Sequence, residues 1–188
     1  MHFFDIHILF HQINLKLLSH LEMLLILLFH LDIFLLYILQ SVPGFLKIFG
    51  VKPVFIIPFC VALSVYDEDW RAGFVYVFGG LLADLSSGRV AGYITIMLLI
   101  CCVVCVVAVK FLVKPSNHNV FMLSFAVMFI IFTYDFLLTY IMRGYENFAL
   151  FYIKNVLLFG LYSSVFAVPF YMLIGKISNY KFLRTETR

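Results

Sequence analysis

The chain places one carboxylate among glycines at the end of an apolar run, in the stretch Gly80-Leu-Leu-Ala-Asp84-Leu-Ser-Ser-Gly88-Arg-Val-Ala-Gly92. A charge is costly in hydrocarbon, so a membrane-embedded carboxylate normally faces the interior of a helix bundle, a hydrated cavity or a partner. Glycines on either side remove side-chain bulk and allow another backbone to approach closely. The stretch therefore predicts a site of helix packing and partner binding rather than a reaction centre.

The composition around this stretch is that of a polytopic α-helical membrane protein. Hydrophobic residues make up 64% of the 188-residue chain and charged residues only 12%, and the mean hydropathy is +1.08. Soluble domains carry roughly twice that share of charge, about 25%. Because the period-2 alternation of a β-barrel is absent, helices must satisfy the backbone polar groups within the bilayer. We expect one compact bundle and no large aqueous domain.

Hydropathy divides the chain into about six apolar spans, separated by breaker clusters and short charged turns. Spans two and three are shorter than the roughly 20 residues that a crossing normally needs, and Pro53 and Pro58 predict a kink or tilt in span two. The predicted spans are Leu21–Leu39, Val54–Tyr66, Trp70–Leu85, Val90–Val113, Val120–Met142 and Phe148–Ile174.

Three segments follow from this division: a polar or amphipathic lead-in over residues 1–20, a transmembrane domain over 21–175 and a basic cytoplasmic tail over 176–188. The lead-in lacks the clean apolar core and cleavage site of a signal peptide. With both termini in the cytoplasm, that side collects more Lys and Arg than the opposite side, which is the bias expected of inward-facing loops. The cytoplasmic set is Lys16, Arg71, Lys110, Lys114, Lys176, Lys181, Arg184 and Arg188, against Lys47, Lys52, Arg89, Arg143 and Lys154.

Small residues and one carboxylate recur on the third span and just after it. Gly73, Gly80, Asp84 and Gly88 are spaced by seven, four and four residues, which on a helix gives one slowly drifting stripe. One interpretation is a packing face on which the carboxylate accepts hydrogen bonds from a neighbouring helix, loop or partner subunit. The other is that the carboxylate caps the turn at Ser86-Ser87-Gly88 in interfacial water.

A charged pair is predicted between the fifth and sixth spans. Asp135 lies ten residues before Tyr145, near the turn, and Lys154 lies nine residues after it. In an antiparallel helical hairpin these two side chains would lie at similar depth. An internal ion pair would satisfy both buried charges together.

The remaining polar residues give no sign of a metal, cofactor or catalytic centre. Asp32 interrupts span one, but His30 two residues earlier points in a different direction on a helix, and a proton relay through the carboxylates is less favoured than structural pairing. His7 and His11 lack further ligands for a metal. The cysteines, including the C-x-x-C of Cys102 and Cys105, lie in apolar runs and are interpreted as packing residues.

Enzyme motifs are also absent from the sequence. It contains no H-E-x-x-H, no G-x-S-x-G and no P-loop. The dipeptide Tyr134-Asp135 together with Asp84 is only weakly similar to an intramembrane aspartyl protease, because the Gly-x-Gly context is missing and the order is reversed. We therefore expect a protein that is not an enzyme and binds no cofactor.

An ordered series of short motifs between Leu39 and Thr95 resembles the bacterial rod shape-determining MreD family. The series is Leu39-Gln40-Ser41, Phe49-Gly50-Val51-Lys52-Pro53, Arg71-Ala-Gly73, Gly80-Leu-Leu-Ala-Asp84, Ser87-Gly88 and Gly92. Chain length and span number agree with the family as well. The lead-in, Glu22 and Asp32 depart from its pattern.

The resemblance implies a non-catalytic, multi-pass protein of the bacterial cytoplasmic membrane that supports lateral cell-wall elongation. Family members work with the membrane-anchored protein MreC, and with the actin-like MreB and the peptidoglycan synthases of elongation; no nucleic acid is involved. The positions implied to define fold and interface are Gln40, Pro53, Gly73, Gly80, Asp84, Gly88 and Gly92.

Two other classes remain as alternatives. The family is similar in architecture to the substrate-binding S components of energy-coupling-factor vitamin transporters, which typically dock their membrane partner through an Ala-x-x-x-Ala stripe on the first helix. The first span here, residues 22–40, contains no alanine, which counts against this alternative. The other alternative is an ion-coupled carrier of small solutes that uses Asp84 or Asp135.

Overall fold

The computed structural model describes residues 23–24, 27–43, 46, 52–66, 72–87, 92–112, 114–143 and 152–186. Throughout these ranges the regular secondary structure is helical. A π-helical segment, Ile153–Leu158, precedes the last two helices. The helices are α1 Leu27–Ser41, α2 Ile56–Tyr66, α3 Ala72–Ser87, α4 Tyr93–Phe111, α5 Asn117–Arg143, α6 Phe159–Ser164 and α7 Ala167–Glu186.

Each predicted apolar span corresponds to helical structure in this fold, which confirms the prediction of an all-helical bundle. Among the described residues, three helical stretches are long and apolar enough to cross a membrane: Tyr93–Phe111, Asn117–Leu138 and Val156–Lys176. The apolar helices α1, α2 and α3 are shorter. These are the features of a helical membrane protein. The predicted lead-in over residues 1–20 lies outside the described residues.

Helix α2 forms the centre of the bundle. Ten of its 11 residues are buried, and α3, α4, α5 and α7 all pack against it. A helix that is apolar on every side is one that other helices surround. At 1.5 Å per residue it is only about 16 Å long, roughly half the thickness of a bilayer core. Its short length follows from its position inside the bundle.

The two prolines of span two lie at the beginning of α2 rather than in its middle. The helix starts at Ile56, so Pro53 precedes it and Pro58 is in its first turn. A proline in the first turn removes no intrahelical hydrogen bond, since those N–H groups have no partner within the helix. The two prolines therefore make the helix of this span begin late, at Ile56, and do not kink its middle.

The last membrane segment is interrupted where the sequence predicted one continuous span. After the π-helical segment and α6, a turn at Val165–Phe166 precedes α7. The Phe166 N–H donates to the Ser163 carbonyl at 3.1 Å, and Pro169 has no N–H for the carbonyl four residues before it. Proline in this position bends helices. Beyond this turn, α7 continues past Lys176 to Glu186.

Ring and side-chain contacts give the direction of each helix. Helices α1 and α3 run parallel, because His30 meets Phe78 near one end and Gln40 meets Ser86 near the other. Helices α4 and α5 are antiparallel, with the rings of Tyr93 and Tyr134 stacked at 5.9 Å.

The chain segment that follows α5 runs parallel to α2. Phe55 contacts Phe166, Phe59 contacts Phe170 and Tyr66 contacts Tyr171. With the π-helical segment, α6 and α7 counted as one span, the six apolar spans thus alternate in direction along the chain. As a result, α1 begins and α7 ends at the same end of the bundle.

Helices α3 and α4 are in close contact at Gly80. A Cβ atom added to this glycine would lie 2.5 Å from the Thr95 Cα and 3.0 Å from its Cβ. Such distances leave no room for any side chain, since the obstacle is backbone. At Gly73, seven residues earlier, an added Cβ would meet nothing within 4 Å. Only one of these two glycines of α3 is therefore required for packing within the described bundle.

Gly80→Ala should force α3 and α4 apart and lower the stability by about 1–3 kcal/mol, the usual cost of overpacking. The matched control is Gly73→Ala on the same helix, where the better helix propensity of alanine should leave stability unchanged or raise it by up to about 1 kcal/mol. Thermal unfolding of the purified variants in detergent measures both effects. Equal midpoints for the two variants would contradict the close approach at Gly80.

Candidate functional site

The Asp84 carboxylate is fully buried and joins the end of α3 to the beginning of α4. Its Oδ1 accepts a hydrogen bond from the Ile94 N–H at 2.7 Å. Its Oδ2 accepts from the Gly92 N–H at 2.8 Å, the Thr95 N–H at 3.3 Å and the Thr95 hydroxyl at 2.7 Å. The first N–H groups of a helix have no acceptor within it, and the positive end of the helix dipole favours a negative charge. Asp84 therefore caps α4 from a different helix.

Gly92 gives the backbone the conformation that this cap needs. Its φ is +100°, in the left-handed region that side chains disfavour. Its N–H donates to the carboxylate, while its carbonyl accepts the Ile96 N–H at 3.0 Å as the first bond of α4. Glycine is required here by backbone conformation, since an added Cβ would meet no neighbour within 4 Å.

The geometry favours the first of the two sequence-based interpretations of Asp84, a carboxylate that accepts hydrogen bonds from a neighbouring helix. The nearby serine hydroxyls bond to backbone carbonyls instead: Ser86 to that of Ala83, and Ser87 to those of Ala83 and Asp84. Asp84 is 0% exposed, which is incompatible with a position in interfacial water. Gly88, the last residue of the predicted turn, lies outside the described residues.

The buried Gln40 side chain connects three helices at the same end of the bundle. Its Oε1 accepts the Phe55 N–H at 3.1 Å, just before α2 begins, and its Nε2 donates to the Ser86 hydroxyl at 3.4 Å on α3. The preceding amide, Val54 N–H, donates to the Ser163 hydroxyl of α6 at 3.0 Å. Side chains from α1 and α6 thus provide acceptors for the backbone N–H groups just before α2, a helix that is buried inside the bundle.

These contacts form one connected group, which we call the polar layer. The side chains of the polar layer form hydrogen bonds with backbone or hydroxyl groups near helix ends. They are Gln40, Asp84, Ser86, Thr95 and Ser163. Asp84 and Ser86 belong to the same last turn of α3, so the two sets of bonds are mechanically linked. The arrangement fixes the relative positions of α1, α2, α3, α4 and α6.

The structure brings together five of the seven residues predicted to define fold and interface. Gln40, Asp84 and Gly92 make the bonds described above, the buried Pro53 directly precedes Val54, and Gly80 meets Thr95. Gly73 lies at the other end of α3, and Gly88 is not among the described residues. Among the described residues of the small-residue stripe, Gly80 and Asp84 contribute to the packing of α3 against α4, whereas Gly73 does not.

Thr95 and Ser163 are members of the polar layer that sequence analysis missed. Thr95 follows Gly92 by three residues, where side chains commonly contribute to helix capping. Ser163 begins the only Ser-Ser pair of the last span, between two apolar runs. Each hydroxyl is a weak signal alone, because serine and threonine also bond to their own helix backbone.

The proposed ion pair between Asp135 and Lys154 remains a prediction, because the Lys154 side chain lies outside the described residues. The surrounding geometry brings the two segments together. The Thr133 and Tyr152 hydroxyls are 3.0 Å apart, and the Phe136 and Tyr152 rings meet edge to face at 5.3 Å. Asp135, between Thr133 and Phe136 in sequence, is half-buried on α5.

Within the described part of the chain, no group of three or more His, Cys, Asp or Glu side chains is placed to hold a metal ion. The four cysteines are buried and free, as their location in apolar runs predicts: Cys60, Cys101, Cys102 and Cys105. Buried thiols of this kind contribute to packing as small apolar side chains.

Asp84→Leu should abolish the cap and leave up to four donors without an acceptor, each at a cost of about 1–3 kcal/mol. Asp84→Asn keeps one acceptor oxygen and should therefore unfold at a temperature between those of the wild type and Asp84→Leu. Leu85→Ala is the control, since Leu85 is 66% exposed on the same turn. Thermal unfolding in detergent gives the order, and a wild-type midpoint for Asp84→Leu would rule out the cap as a major contribution to stability.

Charge reversal tests the ion pair. Asp135→Lys or Lys154→Asp alone should lower the amount of protein that accumulates in the membrane, because each leaves two like charges close together in a low-dielectric environment. The double reversal should restore accumulation, as measured by quantitative immunoblotting of membrane fractions. A double variant no better than the single variants would show that the two residues are not paired.

Comparison with known proteins finds no family model that matches the chain. No curated protein sequence matches it, and no solved structure matches its fold.

Proposed function

We propose that the chain is a non-catalytic, multi-pass component of the bacterial cell-wall elongation machinery, similar to MreD, that supports rod shape. In this role it binds an MreC-like membrane-anchored protein and acts in one complex with MreB and the elongation peptidoglycan synthases. It resides in the cytoplasmic membrane with both termini in the cytoplasm. The proposal rests on the family resemblance between Leu39 and Thr95, and the geometry of the bundle supports it in three respects.

The observation that carries the proposal is the common location of residues that the resemblance singles out from separate parts of the chain. Gln40 and Pro53 flank the connection from α1 to α2, and Asp84 and Gly92 flank the connection from α3 to α4, yet the four residues lie together at one end of the bundle. A chance similarity of short motifs gives no reason for such clustering. A fold shared by the family would explain why these residues lie together.

The chemistry of the polar layer supports a structural role. The Asp84, Gln40 and Ser163 side chains accept hydrogen bonds from backbone amides. Gln40 also donates to the Ser86 hydroxyl, and the Thr95 hydroxyl donates to Asp84. A catalytic carboxylate needs a reacting group within hydrogen-bond reach. The Asp84 carboxylate is buried and already accepts four hydrogen bonds, from Gly92, Ile94 and Thr95. Such an arrangement shapes a surface for a partner and leaves little room for substrate.

The alternation of helix direction supports the proposed orientation. Because α1 begins and α7 ends at the same end of the bundle, the two termini share one side if each apolar span crosses the membrane. The Lys and Arg bias favours the cytoplasm for that side. The polar layer then lies toward the cell wall, where a single-span partner with an extracytoplasmic coiled coil is accessible.

Replacement of the chromosomal copy tests the function. In a rod-shaped host that depends on this protein, Gly80→Leu and Asp84→Leu should cause rounding and loss of co-purification with the MreC-like protein, while Gly73→Ala should keep both. Membrane abundance is measured in parallel, so that loss of the partner is scored per molecule of protein. Normal shape and normal co-purification in both variants would refute the proposal. A tightly bound vitamin in the purified wild type would favour the S-component alternative instead.

A further inference from the structure

Helix α1 presents a broad apolar face away from the bundle. Leu27 is 69% exposed, Leu31 67% and Leu35 63%, and the core side of the helix is formed by buried residues such as Ile33. A similar face exists on α4, where Ile96 is 61% exposed. An apolar face of this kind fits lipid as well as protein, so apolarity alone does not identify what covers α1.

Asp32 distinguishes the face of α1 from the face of α4. This carboxylate is half-buried at the edge of the exposed face, among apolar side chains. It makes no hydrogen bond or ion pair with the parts of the chain that the structure describes. Asp84, in contrast, has four hydrogen bonds. A carboxylate in the membrane normally pairs with a donor or a cation.

The residues around Asp32 on its own helix provide no such donor. The positions three and four residues away, which share its side of the helix, are apolar: Leu28, Phe29, Leu35 and Leu36. His30 is directed to the opposite flank, where its ring lies 5.1 Å from that of Phe78 on α3. The missing partner therefore has to come from outside this part of α1.

We propose that the α1 face, defined as Leu27, Leu28, Leu31, Asp32, Leu35 and Ile38, binds a membrane-crossing helix of a second protein that carries Lys or Arg at the depth of Asp32. The leucines provide the apolar contact, and the cation neutralises the carboxylate that has no partner among the described residues. Charge complementarity thus determines the position of the partner helix along α1. This interface is separate from the polar layer and does not depend on the proposed function.

A second copy of the same chain fits this face less well. Two copies in one membrane have the same orientation, so their α1 helices would pair in parallel. In a parallel pair joined through Leu28, Leu31 and Leu35, a residue at the Asp32 position meets the residue five before it on the other helix, which is Leu27. Both carboxylates would then face apolar side chains. A partner with a cation removes that cost.

Photo-crosslinking in the host membrane tests the interface. A benzoyl-phenylalanine is introduced in place of Leu31 or Leu35, with the same substitution at Ile96 of α4 as the control. Irradiation of living cells, purification and mass spectrometry of the crosslinked peptides should identify one membrane-crossing segment with Lys or Arg from the α1 positions and none from Ile96. Asp32→Asn should lower the crosslink yield about tenfold, equivalent to about 1.4 kcal/mol.

A charge swap then decides whether the carboxylate is responsible. Asp32→Lys should abolish the crosslink, and exchange of the partner's cation for Asp should restore it in that background. Crosslinks to a second copy, crosslinks only to lipid, or a yield that Asp32→Asn leaves unchanged would each overturn the inference. A partner that passes the charge swap supports this interface whether or not that partner acts in cell-wall elongation, and replacement of the chromosomal copy decides the proposed function separately.

Discussion

Every backbone N–H at a helix start inside a membrane needs an acceptor from the protein, because no water is available there. The bundle meets this requirement with side chains from other helices. Asp84 of α3 accepts the amides at the start of α4, and Gln40 of α1 accepts an amide at the start of α2. The same bonds that satisfy the backbone hold neighbouring helices in register. The arrangement of the bundle depends on this coupling.

The position of α2 shows why the coupling matters. A central helix of 11 residues makes few hydrogen bonds of its own and has no lipid-facing side. Its depth and tilt are therefore set by the groups at its entry and by the surrounding side chains. The Ser163 hydroxyl and the Gln40 side chain hold the backbone just before the first residue of the helix. The packing of the core side chains sets the depth and tilt of the remaining residues. Loss of either polar contact would leave a buried amide without an acceptor, which is costly in an apolar environment.

Sequence analysis predicted the helical spans and two members of the polar layer, Gln40 and Asp84, but not the roles of individual helices. The apolar runs and the breakers near Gln40 and Lys114 were sufficient to locate the helices. They did not reveal that α2 is enclosed, because side chains that face lipid and side chains that face other helices are equally apolar. Gly73 and Gly80 also looked equivalent by spacing, although only Gly80 meets the backbone of α4. Which glycine is needed depends on where two helices cross, and that is a property of the assembled bundle.

Three carboxylates in the apolar spans, Asp32, Asp84 and Asp135, have similar sequence surroundings but different physical situations. Asp84 is enclosed and bonded to a helix start, so its charge stabilises the fold directly. Asp135 lies where α5 meets the segment after it, close to the contact of Thr133 with Tyr152. Asp32 is at the edge of an exposed face without a partner in the described structure. A charge in hydrocarbon is costly at all three positions. Asp32 has no partner among the described residues, and this observation leads us to propose its contact with a second protein.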